Sequence, residues 1–198
     1  MSVVMDRGMP RQKITVDEYY RMAEQGLLAP DARVELIEGE IIDMPPMGSL
    51  HAGNASYVSS ELILALKDRA TVFTQCTLCL DELSAPEPDI YVCKYREDFY
   101  ERKLPTPAET YLVIEVSNST LSTDRSFKAP LYARAGIPEY WIFDVKSHRI
   151  EMYRTPADGM YRDVVTLTKP RPISIQLLPD VEIDLSRFFQ RGQSTTSL

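Results

Sequence analysis

The sequence predicts an α/β (α+β) chain: a mixed β-sheet flanked by helices on both faces, with extra hairpins toward the N- and C-terminal ends. Three observations carry this. Tyr111–Val116 is a nearly continuous apolar run, as expected of a central strand covered on both sides. A helical segment over 122–135 and a second strand, Tyr140–Asp144, follow it. Together they make one strand–helix–strand crossover, expected to be right-handed. Alternating apolar residues over 33–44 and 150–167 read as antiparallel pairs at either end.

In chain order, residues 1–12 are expected to be a loose arm. Thr15-Val16-Asp17-Glu18 has capping-box spacing, so a helix should start there and run to about Gln25, ended by Gly26 and Pro30. Arg33–Met44 reads as a hairpin turning at Glu38-Gly39. Pro45, Pro46 and Gly48 break the pattern. The longest helix spans Ser49 or Leu50 to Arg69, with Val58, Leu62, Ala65 and Leu66 on one face and His51 in the first turn. Strands follow at Val72 to about Leu80 and, after Pro86 and Pro88, at Ile90–Val92. Residues 94–108 form a polar connection with room for a short helix. In the 122–135 helix, stopped by Gly136, the internal Pro130 predicts a kink or a start near it. Ile150–Arg154 and Tyr161–Leu167 are the last strand pair. Ile183–Phe189 is a final helical turn, and 191–198 a mobile tail.

The length of 198 residues fits a single domain over 13–190. No run of about 18 apolar residues suggests a membrane span, and no basic start leads into an apolar stretch, so a cytoplasmic protein is expected. The net charge of −7 argues against a protein that coats nucleic acid with a basic face. It leaves room for an enzyme acting on nucleic acid, whose metal-binding carboxylates carry negative charge. Cys76 and Cys79 have the spacing of half a zinc knuckle, but no second pair exists, and a strand there would turn them to opposite faces. With Cys93 they read as small buried hydrophobes kept reduced.

The chemistry sits in two awkward carboxylates. Asp89 starts a short strand after Pro88, and Glu115 lies within the central apolar one. Both are poor strand formers, and burial costs a carboxylate its hydration unless a cation sits beside it. On neighbouring strands they would make a site for a hard divalent ion, with the Val116 backbone carbonyl as a neutral ligand. Lys128, on the following helix, can orient the attacking water, hold it against a phosphate, or act as a base if its pKa is lowered.

Glu35-Leu-Ile-Glu-Gly-Glu, His51, Pro88-Asp89, Val113-Ile-Glu115-Val-Ser117, Asp124-Arg-Ser-Phe-Lys128 and Tyr132-Ala-Arg-Ala-Gly-Ile-Pro-Glu-Tyr-Trp-Ile-Phe-Asp144 occur in that order. This series, spread over roughly 13–190, resembles the Uma family of restriction endonucleases within the PD-(D/E)XK nuclease superfamily. The resemblance implies the restriction-endonuclease-like core and magnesium-dependent cleavage of DNA, with manganese able to substitute. It makes Asp89 and Glu115 the metal ligands and catalytic acids. The superfamily pattern places a lysine two residues after the second acid, where this chain has Ser117; the lysine has moved to the helix, as Lys128.

Glu35, on the hairpin, is a further catalytic candidate, as a second acid or a water-positioning group. Gln75 and His51 are candidates for substrate contact, His51 through phosphate at a helix N-terminus. Glu38 reads as turn chemistry, and Tyr132, Tyr140 and Trp141 as core. A homodimer is expected, since a double-strand cut often uses two sites; edge strands and the Met44–Met47 loop are candidate interfaces. The alternative function is a nuclease-fold binding domain that has lost turnover.

Overall fold

The computed structural model describes residues 12–29 and 31–190. Nearly all of the expected N-terminal arm, Pro30 and the C-terminal tail lie outside these.

The chain opens with helix α1 (Val16–Glu24), started by the expected capping box: Thr15 accepts from the Glu18 amide, and the Glu18 carboxylate accepts from Thr15 N. Strands β1 (Val34–Ile37) and β2 (Glu40–Asp43) form the expected hairpin. Glu38 and Gly39 both have positive φ, 52° and 79°, as a tight two-residue turn requires. Helix α2 (Ser49–Leu66) follows, with Val58, Leu62 and Leu66 fully buried.

The six-stranded sheet has the order β3 (Ala70–Thr74), β4 (Ile90–Lys94), β5 (Thr110–Ser117), β6 (Glu139–Asp144), β7 (Arg149–Ala157) and β8 (Met160–Leu167). Only β5 and β6 run parallel; all other neighbours are antiparallel. That one parallel pair is the predicted crossover. Its helix is α3 (Leu121–Thr123), a π-helical turn (Asp124–Lys128) and α4 (Ala129–Arg134). Pro130 explains the turn. It has no N–H, and its ring would crowd the Ser126 carbonyl in a regular α ladder. The chain widens instead, and the Ala129 N–H reaches back five residues to the Asp124 carbonyl.

Strand alternation sends side chains to two cores. Ile90, Val92, Ile114, Val116, Trp141 and Phe143 face α2. Tyr91, Cys93, Val113, Tyr140 and Ile142 face the α3–α4 segment and Ile37 of the hairpin. The helices therefore flank both sides of a mixed sheet, as expected.

Three expectations need correction. The strand expected at 72–80 ends at Thr74, because Gln75 turns into the left-handed region (φ 48°). Residues 76–80 continue as irregular chain, anchored by backbone bonds from Leu78 to Pro86 and from Leu80 to Ser84. Cys76 and Cys79 thus lie on a loop and are half-buried; only Cys93 is a core residue. Near the C-terminus, β9 (Ile173–Ile175) and β10 (Leu178–Ile183) make a hairpin that the flanking prolines concealed. Ile183 ends that hairpin, and the final helix α5 begins at Ser186 (Ser186–Gln190), burying Phe188 and Phe189.

Candidate active site

Ile90 pairs with Ile114 across β4 and β5. Asp89, one residue before β4, therefore falls opposite Glu115 on the same face. Two like charges opposite each other destabilise an antiparallel pair unless something compensates. Lys128 compensates: its Nζ lies 3.0 Å from Glu115 Oε1 and 3.7 Å from Glu35 Oε2, with only 11% of its side chain exposed. The helix following β5 thus delivers the ammonium to the place that the sequence left open beside Ser117. Ser117 itself is buried and donates a short hydrogen bond to Asp124, which also accepts from Thr120 Oγ1 at 2.8 Å.

Glu35 reaches the site because Ile37, two residues on, packs into the core beneath it. Its Oε2 also accepts from the Glu87 amide at 3.2 Å. Asp89 is held at both oxygens: Oδ1 is 2.7 Å from His51 Nε2, and Oδ2 accepts from the Val116 amide at 2.8 Å. His51 lies in the first turn of α2, as expected. In an antiparallel pair the N–H and C=O of one residue face the same neighbour, so the Val116 carbonyl also faces the β4 side, where Asp89 lies. Glu35, His51, Asp89, Glu115 and Lys128 all line one cleft of about 390 Å³. Gln75 does not join them. It sits exposed at the end of β3, and its Nε2 donates to Met47 Sδ at 3.2 Å.

The electrostatics follow from burial. Burial pushes the Glu115 carboxyl up, against the pull of Lys128. It pushes Asp124 up as well, against its bonds from Ser117 and Thr120. Burial alone would lower the Lys128 ammonium, but Glu115 and Glu35 outweigh it and hold its pKa above the ordinary value. The direction is opposite to the lowering that a lysine base would need. The bond to Asp89 holds the His51 imidazole pKa up, against burial.

Two site residues escaped the sequence reading. Tyr132 is core, as expected, yet its hydroxyl donates to Glu115 Oε1 at 2.8 Å. Asp124 is 3% exposed and lines the cleft. The signal was present: Asp124, Lys128 and Tyr132 recur at four-residue spacing, which puts them on one helix face. Such a stripe normally reads as solvated. Here it faces β5.

Among the described residues, no group of three or more His, Cys, Asp or Glu side chains is placed to hold a metal by itself. The donor set is smaller and harder: two opposed carboxylates and one main-chain carbonyl. Glu115 Oε1 takes both Lys128 and Tyr132, and no hydrogen bond among the described residues goes to Oε2. Hard oxygen donors on a cleft-lining residue fit a divalent ion such as magnesium, which keeps several of its waters and takes few protein ligands.

Fold and site together define a mixed-sheet protein in which paired acids from adjacent strands meet a helix-borne lysine in one cleft. The chain belongs to the Uma2 family, whose model, described as "Putative restriction endonuclease", matches residues 16–186. Its fold is similar to that of a crystal structure of a "putative nuclease belonging to DUF820" from Anabaena variabilis ATCC 29413. The two share 19% identity with a TM-score of 0.68, over 89% of this chain and 98% of that one. A search of curated proteins finds no match. No helix among the described residues is long and apolar enough to cross a membrane.

Proposed function

We propose that this protein is a magnesium-dependent deoxyribonuclease that hydrolyses phosphodiester bonds by in-line attack of water. The observation that carries the proposal is the placement of Asp89 opposite Glu115 with Lys128 Nζ 3.0 Å from the latter. Asp89, Glu115 Oε2 and the Val116 carbonyl would hold the ion, with manganese a working substitute. The ion supplies Lewis acidity and a bound water of lowered pKa.

The chain's own residues do the rest. Lys128 presents a positive charge that orients the attacking water and stabilises charge developing on the phosphoryl oxygens. Glu35, 3.7 Å from that ammonium, fixes its direction and offers a second acceptor for the water. His51, its imidazole pKa held up by the bond to Asp89 and its ring seated at the start of α2, receives a flanking phosphate. Gln75 lies outside this group and donates to Met47 Sδ.

The test is cleavage of supercoiled plasmid with magnesium or manganese by the wild type, Glu115→Gln and Lys128→Ala. The wild type is expected to cut. Each variant should lose about 10²- to 10³-fold, the usual cost of removing one preorganised electrostatic group. Equal cutting by all three places the activity elsewhere. No cutting by the wild type of either the plasmid or a single-stranded circle favours a nuclease fold kept for binding alone.

A further inference from the structure

We propose that the cleft takes a single, unpaired DNA strand and excludes intact duplex. The proposal rests on the nuclease reading of the same site and narrows its substrate.

The reactive groups are deep. The side chains of Glu115, Lys128 and Asp89 are 6%, 11% and 13% exposed. The space above them, about 390 Å³, is at the small end of the roughly 300–1,000 Å³ typical of pockets that enclose small ligands. That suits one nucleotide and its phosphate, not two paired strands.

One wall is the strap between β2 and α2, Met44-Pro45-Pro46-Met47. It is tied along its length. Met44 N donates to the Arg33 carbonyl at 2.8 Å, Arg33 Nη1 donates to the Pro45 carbonyl at 3.2 Å, and Gln75 Nε2 donates to Met47 Sδ at 3.2 Å. Two consecutive prolines fix two φ angles and stiffen what lies between the ties. The methionines and Ile42 offer an apolar, adaptable surface to an unstacked base. Asn118, Ser119, Thr120 and Thr123, which also line the cleft, offer neutral hydrogen-bonding groups, as suits base edges or sugar.

Charge points the same way. Glu35, Asp43, Glu87, Asp89, Glu115 and Asp124 line the cleft, against Arg33, Lys128 and His51. Duplex DNA carries one negative charge per about 1.7 Å of axis, twice the density of one of its strands, and is normally received by a basic track. Nothing lining this cleft forms such a track. A single strand brings fewer phosphates to the acidic lining and can present one of them to Lys128.

The test compares a single-stranded DNA circle with the relaxed duplex circle of the same sequence, under magnesium or manganese, with Glu115→Gln as the blank. The single-stranded circle should be cut about tenfold faster or more, equivalent to about 1.4 kcal/mol in the barrier. Replacing Pro45 and Pro46 together by Gly, which loosens the strap without touching the acids, should narrow that ratio by admitting duplex. Relaxed duplex cut as fast as the single strand overturns the substrate proposal and leaves the nuclease reading standing. An unchanged ratio in the loosened variant overturns the strap as the excluding wall. If neither circle is cut, the nuclease reading itself falls.

Discussion

Glu115 and Glu139 begin as equals. Each is a glutamate in a buried apolar strand, β5 and β6 respectively, and each is almost fully withdrawn from water. Burial pushes both carboxyls up. Their surroundings then diverge. Glu139 is closed on every side: Oε1 accepts from Trp141 Nε1 and Arg154 Nε, each at 2.7 Å, and Oε2 accepts from the Gln176 amide at 2.6 Å. It pins the β9–β10 hairpin, whose turn is Gln176 and Leu177, to the sheet. Glu115 takes two donors on one oxygen, no hydrogen bond among the described residues goes to the other, and the residue lines the cleft. A buried carboxylate with all its capacity spent is a fastener; one with capacity left is what the proposed metal site requires.

The sharpest way to break this comparison is to remove each fastening in turn. Glu139→Ala strands the Arg154 guanidinium, the Trp141 indole N–H and the Gln176 amide. Breaking such a pair from one side costs about 3–5 kcal/mol, which urea denaturation would register as a lower midpoint. Glu115→Gln keeps the shape and should leave the midpoint within about 1 kcal/mol, since removing a buried charge offsets a weakened bond to Lys128. Cleavage per folded molecule should respond in reverse: unchanged in the first variant and lost in the second. If both variants chiefly unfold the protein, Glu115 is a fastener too.

The comparison also measures what the sequence can say. Glu115 was visible as a carboxylate that an apolar strand should not tolerate, but Glu139 breaks the same rule without lining the cleft. Rule-breaking in a strand marks a buried charge; it does not say whether the charge is satisfied. That answer lay in residues far along the chain, Arg154 and Gln176 for one glutamate and Lys128 and Tyr132 for the other. The sheet was legible because periodicity is local: the β5–β6 crossover, both hairpins of the main pattern and the capping box of α1 follow from neighbouring residues. Where a single backbone angle decided the outcome, as at Gln75, or where prolines hid short strands, as before β9, local pattern failed. Lys128 was legible through the family resemblance, whose pattern expects a lysine where this chain has Ser117. The π-helical turn that delivers it was foreshadowed only by Pro130.

Tyr132 tests how Glu115 keeps its reserve. Its hydroxyl and Lys128 share Oε1, and no hydrogen bond among the described residues goes to Oε2. Tyr132→Phe removes one donor and no volume. Stability should fall by about 1–3 kcal/mol, the range for a hydrogen bond to a charged group. The more telling readout is metal dependence. If Tyr132 fixes the carboxylate's direction, the manganese concentration for half-maximal cleavage should rise about 10- to 100-fold, as when the outer partner of a metal ligand is lost. A drop in stability with unchanged metal dependence would make Tyr132 a core residue that merely happens to be bonded.

The smallest effect is expected at Arg125, three residues before Lys128 on the same helical segment. Ile142 pairs with Glu115 on one side and Glu151 on the other, so the two glutamates lie in one row across the sheet. The helix sets a base above each: Lys128 over Glu115, Arg125 over Glu151. Glu151 is fully engaged, taking Arg125 at both oxygens and the Tyr153 hydroxyl at 2.8 Å. Yet 45% of the Arg125 side chain is in solvent, so water screens the pair. Arg125→Gln should cost no more than about 1 kcal/mol, a shift of about 2–4 °C in Tm for a chain of this size, with cleavage intact. A large loss of cleavage instead would mean that Arg125 positions the π-helical turn, and that delivery of Lys128 depends on both bases.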